Sequence, residues 1–354
     1  MPPDTSVVDD VDQNRWTSPK RSLLLRIVLW TVGFAVVVTV GSVIAFQVSP
    51  WPAVLLIRYS FDKGAAEASR ALERHLPRDV TAVLNEQYDP GDAQAYLDVF
   101  YPSAIADSER RLLTVVWVHG GAWVSGRKDD VNNYAKILAG KGLTVVSVNY
   151  SIAPGATYPA PVRQVTAALA YLVRDAARLH VDPSRFVLAG DSAGAHIAAQ
   201  VANIIAVPSY AQVVGVRPTI ERSQLVAALL YCGPYSVDNV NLTGPFGDFQ
   251  KTVLWAYSGG KDFSANRRFA TASVINYVTS AFPQAFISAG NADPLQPQSV
   301  AFAGALESHG VAVERLFFVP NYKPALPHEY QFNLDTEAGR LALDRSVRFL
   351  EQRR

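Results

Sequence analysis

Hydrophobic and polar positions along the chain fall into three regimes. Residues 1–22 are polar with no apolar period, the pattern of a flexible tail. Residues 27–46 then run for twenty positions without a charge (IVLWTVGFAVVVTVGSVIAF). A helix of that length covers about 30 Å, the thickness of a bilayer's hydrocarbon core. We therefore expect a transmembrane anchor over residues 23–50. Lys20, Arg21 and Arg26 precede it, which by the positive-inside rule puts the N-terminus in the cytoplasm and the rest of the chain outside. Trp51 and Arg58 mark its outer end in this reading. A cleaved signal peptide, leaving a secreted protein, is the competing expectation. Residues 64–76 (GAAEASRALERHL) have a helical period, so residues 51–92 are expected to form a stalk or N-terminal extension.

From residue 93 to 354 a third regime sets in. Short runs rich in β-branched residues occur at 96–101, 113–118, 144–149, 186–189, 226–231, 285–288 and 313–319. Segments of helical period separate them, among them 162–179, 192–206, 297–309 and 336–352. Such alternation predicts an α/β domain with a mostly parallel central sheet and helices on both faces. Residues 236–283, rich in Gly, Asn and aromatics, interrupt the rhythm and are too long for a simple loop. They are expected to be an insertion acting as a lid over a site. Phe246, Phe249, Trp255, Tyr257, Phe263 and Phe269 then either receive an acyl chain or pack the lid itself.

Composition narrows the chemistry. With 18% charged residues and a net charge of +1, nothing points to nucleic acid. Cys232 is the single cysteine, so no intrachain disulfide and no Cys-rich metal site can form. The six histidines include no HxxxH pair, so a structural zinc site is not expected, and the chemistry read from the motifs below calls for no metal or organic cofactor. Oligomeric state is left open.

Four local patterns remain. Gly190-Asp191-Ser192-Ala193-Gly194 stands between an apolar run and a helical one, the strand–turn–helix setting in which G-x-S-x-G forms a nucleophile elbow. The sharp reversal leaves no room for side chains at Gly190 and Gly194 and strains the serine backbone. His119-Gly120-Gly121-Ala122-Trp123 follows an earlier strand. Its backbone N–H groups at Gly120 and Gly121, with that of Ala193, can hold a developing oxyanion. His119 itself reads as a structural residue. A serine also needs an imidazole base and an orienting carboxylate, in the chain order Ser, acid, His. His196 lies in the serine's own helix and His309 closes another, which leaves His328, in Pro327-His328-Glu329-Tyr330, as the base. Asp293, just beyond a strand, is the acid. Asp248 and Asp262 fall in the lid, and Glu329 is too near His328 in sequence to orient its ring.

Together HGGAW, GDSAGAH, GNADPL and HEYQF resemble, in order, the α/β-hydrolases of the hormone-sensitive-lipase-like and carboxylesterase group over about residues 95–352. The wording of the first two is similar to the branch containing isoprenylcysteine methylesterases and kynurenine-formamidase-like proteins. The resemblance implies a serine carboxylesterase acting on a small-molecule or lipid ester, with Ser192, Asp293 and His328 as triad. An amidase or formamidase on the same triad, or a catalytically inactive binding module, are the alternatives. Two departures stand out. Ala122 replaces a third glycine, and Ser151 and Gln164 replace an Arg and an Asp that relatives carry.

Overall fold

Eight strands form one sheet: β1 Val80–Gln87, β2 Tyr96–Pro102, β3 Leu112–Val118, β4 Thr144–Val148, β5 Val181–Asp191, β6 Leu225–Tyr231, β7 Ala285–Ala289 and β8 Val313–Phe317. Their order across the sheet is β1-β2-β4-β3-β5-β6-β7-β8. Strands β3 to β8 pair in parallel, while β1 and β2 are antiparallel at one edge. The computed structural model describes residues 19–238 and 240–353; most of the polar tail, residues 1–18, lies outside the described residues. Ten helices accompany the sheet among the described residues: α1 Pro19–Val48, α2 Trp51–Leu72, α3 Lys128–Ala139, α4 Ala160–Arg174, α5 Ser192–Ala206, α6 Pro208–Val214, α7 Gly244–Ser258, α8 Arg267–Ala270, α9 Gln296–Ser308 and α10 Glu337–Glu351.

The period of two within each strand sorts the core into two layers. Val116, Val118 and Leu188 point to the side covered by α4, α5 and α9. Val115, Trp117 and Val187 point to the other side, against α3 and α10. Both faces of the inner parallel strands, β3 to β7, are thus dry, which is why they hold the unbroken apolar runs, whereas β8 at the edge is only partly covered. Helix α10 begins at Thr336, whose side chain accepts a hydrogen bond from the Gly339 N–H at 3.0 Å.

Of the two forms open to residues 51–92, they take that of an extension packed on the sheet domain. Helix α2 extends back to Trp51, and the Arg58 guanidinium turns into the fold, donating to the carbonyls of Val124 at 2.6 Å and Ala153 at 2.9 Å. Strand β1 then joins the sheet. Its alternation is broken between Val83 and Glu86, where Asn85 takes a φ of 58° and its N–H donates to Asp98 Oδ1 at 2.7 Å. An irregular edge strand with one neighbour and mixed polarity leaves little periodicity to read.

The chain divides into two units, Met1–Ser49 and Pro50–Arg354. In the first, Leu23–Val48 is a 26-residue stretch of α1 with mean hydropathy 2.4, long and apolar enough to cross a membrane.

One buried ion pair locks the second unit near β2. Lys128 Nζ lies 2.8 Å from Asp98 Oδ2, with both side chains nearly inaccessible. Asn132 Nδ2 supplies a second donor to the same oxygen at 2.7 Å. Removing one partner strands the other charge, so Lys128→Met is expected to cost about 3 kcal/mol of stability. Urea denaturation should show the lowered midpoint with an unchanged slope.

Candidate active site

The carboxyl ends of the parallel strands carry the candidate residues, as the open α/β plan dictates. At the end of β5, Ser192 takes a φ of 51° before opening α5. The turn is tight on both sides. A Cβ at Gly190 would sit 2.6 Å from the carbonyl carbon of Gly194 and 2.7 Å from Val118 O. One at Gly194 would overlap the Val118 carbonyl oxygen. Beyond β3, Gly121 has a φ of 109°, and Ala122 and Trp123 follow at 53° and 61°. Ala122, where the resemblance noted above leads one to expect glycine, therefore holds a conformation that glycine adopts without strain.

His328 and Asp293 meet from the loops after β8 and β7. His328 Nδ1 donates to Asp293 Oδ2 at 2.9 Å, and Leu295 N–H donates to the other oxygen, Oδ1, at 2.7 Å. Asp293 is buried. Burial works against the charged form of His328, and the Asp293 hydrogen bond favours it. Ser192, Ala193, Gly120, Gly121 and His328 line one cavity of about 390 Å³. Phe61 and Ala68 of α2, with Phe246, Phe249 and Val253 of α7, supply its apolar wall.

Two other histidines, His119 and His196, are buried with partners of their own. His119 is buried, stacks on Tyr150 at 4.1 Å and donates Nδ1–H to Gly120 O at 2.8 Å. Burial lowers its pKa to about 4. His196, likewise pushed down to about 4 by burial, accepts from Trp123 Nε1 at 3.2 Å and donates to Ala272 O at 2.7 Å. Exposed His309 follows the end of α9. The aromatics of residues 236–283 divide. Phe246 and Phe249 line the cavity, whereas Tyr257 stacks on Trp123 at 4.9 Å and Phe263 and Phe269 are buried in the core. Ser151 and Gln164 do meet: Gln164 Oε1 accepts from Ser151 N–H at 2.9 Å, an uncharged pair in place of a charged one.

Three residues at the site escaped the sequence reading. Cys232 follows β6 at a φ of 46°, and its sulfur lies with donor atoms of Asp293 and His328 in a group spanning 4.8 Å. It is the one such trio among the described residues, and two of its members are already bonded to each other. Burial pushes the thiol up to about 11, so it is neutral near pH 7. Asp191, inside the elbow, accepts from Trp117 Nε1 at 2.7 Å. Burial and the adjacent Glu329 carboxylate hold Asp191 well above the usual carboxyl range, so the protonated acid can donate to Glu329. Glu329, at a φ of 57°, places Oε1 3.7 Å from His328 Nε2. No spacing rule flags these residues, because they converge only when three strand ends meet.

This pair also explains Gly120. A Cβ there would overlap Asp191 Oδ2 and come within 2.9 Å of Glu329 Oε1. Gly120→Ala is expected to displace the loop and lower kcat about 10²–10³-fold with little change in KM. Steady-state kinetics on a p-nitrophenyl ester, with circular dichroism as folding control, checks this.

Comparison with known proteins agrees with this architecture. Residues 97–306 match the BD-FAE family model. Over 266 residues the chain is 32% identical to carboxylesterase NlhH of Mycobacterium tuberculosis, covering 72% of this chain and 77% of that protein. It is 31% identical to esterase LipQ of the same species, covering 66% of this chain and 55% of that one. In fold it is similar to esterase B of Lactobacillus rhamnosis, with a TM-score of 0.71, 23% identity and coverage of 85% and 97%. The isoprenylcysteine-methylesterase branch suggested by the motif wording is not singled out by these relatives. With the family model covering well over half of the chain, this protein belongs to the BD-FAE family, within the hormone-sensitive-lipase-like esterases of the α/β-hydrolase fold.

Proposed function

We propose that this chain is a membrane-anchored carboxylic-ester hydrolase that works through an acyl-enzyme on Ser192. The observation that carries the reading is the His328–Asp293 pair, bonded at 2.9 Å, on a cavity that a strained Ser192 also lines. His328, neutral, takes the proton of Ser192 as Oγ attacks the ester carbonyl. The N–H groups of Gly120, Gly121 and Ala193 hold the oxyanion, and the protonated His328 returns the proton to the leaving alcohol. Water, deprotonated by the same imidazole, then attacks the acyl-enzyme and releases the acid and Ser192. No further reactant is required for the balance.

The relatives named above are esterases, which supports an ester over an amide as substrate. Helix α7, with residues 236–283 around it, serves as the lid: its Phe246 and Phe249 close the cavity on the side facing α2. Helix α1 anchors the enzyme through residues 27–46, with the N-terminus cytoplasmic and the catalytic unit on the other side. A fluorophosphonate probe tests the nucleophile. The wild type should gain one label on the peptide bearing Ser192, and Ser192→Ala should gain none. Labelling elsewhere, or none in the wild type, would overturn the assignment.

A further inference from the structure

The two faces of α2 differ in chemistry. Inward, Val54, Arg58, Phe61, Ala65, Ala68 and Leu72 recur at alternating steps of four and three, one helical stripe. Val54 and Leu72 are buried, Arg58 is bonded to two carbonyls, and Phe61, Ala65 and Ala68 line the cavity. Outward, Leu55, Leu56 and Tyr59 are 56%, 65% and 77% exposed. Further along the same side the exposed residues become charged: Lys63, Glu67 and Arg70. The apolar patch thus occupies only the first turns, about 12 Å of helix. Those turns lie at the end joined through Ser49 and Pro50 to the apolar stretch Leu23–Val48. Two intervening residues tie the start of α2 to within about 10 Å of wherever that stretch ends.

We propose that the outer face of the first turns of α2 lies in the boundary between lipid headgroups and acyl chains, and that the cavity draws its ester from the bilayer. The graded polarity along α2 is that of a helix dipping into lipid at one end. Its inner face reaches the cavity directly. Phe61 packs on Phe249 at 5.9 Å, and Phe249 on Phe246 at 5.9 Å. All three line the cavity, and Phe61 and Phe246 remain more than a third exposed, forming an apolar lip between α2 and α7. The substrate class is therefore an ester with a long acyl chain dissolved in membrane. This clause rests on the ester-hydrolase reading; the lipid surface does not.

The full chain in phosphatidylcholine vesicles tests both. A Leu56→Cys variant labelled with an environment-sensitive dye should be quenched by nitroxide-bearing phosphatidylcholine, whereas one labelled at Glu67→Cys should not; buried Cys232 leaves the wild type as blank. Leu55→Glu combined with Leu56→Glu should lower hydrolysis of vesicle-dissolved p-nitrophenyl palmitate about ten-fold or more. The same variant should keep its rate on water-soluble p-nitrophenyl acetate within about two-fold. A water-exposed dye at position 56, or equal effects on both esters, overturns the proposal. So does a position-56 dye shielded in detergent by a second copy, seen as a dimer in sedimentation equilibrium. Failure of the wild type on both esters would refute the hydrolase reading instead, with dye quenching still deciding the lipid surface.

Discussion

Ser192→Ala is expected to lower kcat/KM on p-nitrophenyl butyrate about 10⁵–10⁶-fold, or about 7–8 kcal/mol of transition-state stabilisation. The loss is large because His328 and the backbone amides serve a nucleophile that no longer exists. What survives is the residual effect of the oxyanion donors and substrate binding. The fold should persist, since alanine is no larger than serine and the elbow is set by Gly190 and Gly194. Backbone strain offers a second reading of the same site. A φ of 51° is unfavourable for any residue with a Cβ, by about 1–2 kcal/mol. Ser192→Gly should therefore be equally inactive yet at least as stable as the wild type, a signature of strain retained for function. Thermal melts beside the kinetics check both variants. Activity in Ser192→Ala above about one per cent would place the nucleophile elsewhere.

The parts legible in the sequence are those where one local pattern settles the structure. Strands β3 to β7 are buried on both faces, so their apolar runs stood out, and three of the four motifs lie just beyond one of them, while HEYQF lies in the longer loop after edge strand β8. The hidden parts depend on pairing. Strand β1 lies at the edge, its alternation broken at Asn85, and only Tyr96–Pro102 beside it makes it a strand. From residue 64 onward α2 could be a stalk or pack on the domain, a choice the sequence leaves open because the inward bonds of Arg58 appear only once the carbonyls of Val124 and Ala153 are in place. The lid aromatics were ambiguous for the same reason: Phe249 and Tyr257 lie eight residues apart on one helix yet face a cavity and Trp123 respectively. Glu329 was set aside as an orienter of His328 on sequence proximity. Its carboxylate indeed approaches Nε2 and not the Nδ1 held by Asp293, but its contact with Asp191 had no trace in the spacing.

Asp293→Asn should lower kcat about 10⁴-fold, and hydrogen bonds around Asp293 give the reason. Leu295 N–H donates to Oδ1 at 2.7 Å, so in the variant the amide oxygen keeps that place and the NH₂ turns to His328 Nδ1. Nδ1 must then accept, which leaves the ring proton on Nε2, the nitrogen that should take the proton of Ser192. The pH dependence adds an independent check. The base acts only when neutral, so kcat/KM is lost as pH falls through the His328 pKa of the free enzyme. In the wild type the Asp293 hydrogen bond raises that pKa against the lowering effect of burial, while Cys232, neutral over this range, adds no charge. Removing the Asp293 charge leaves burial less opposed and moves the limb to lower pH. The ratio of wild-type to variant rates should therefore be greatest at alkaline pH and narrow as the pH drops. A loss under about ten-fold, or a limb that stays where it was, would show that Asp293 does not orient the base.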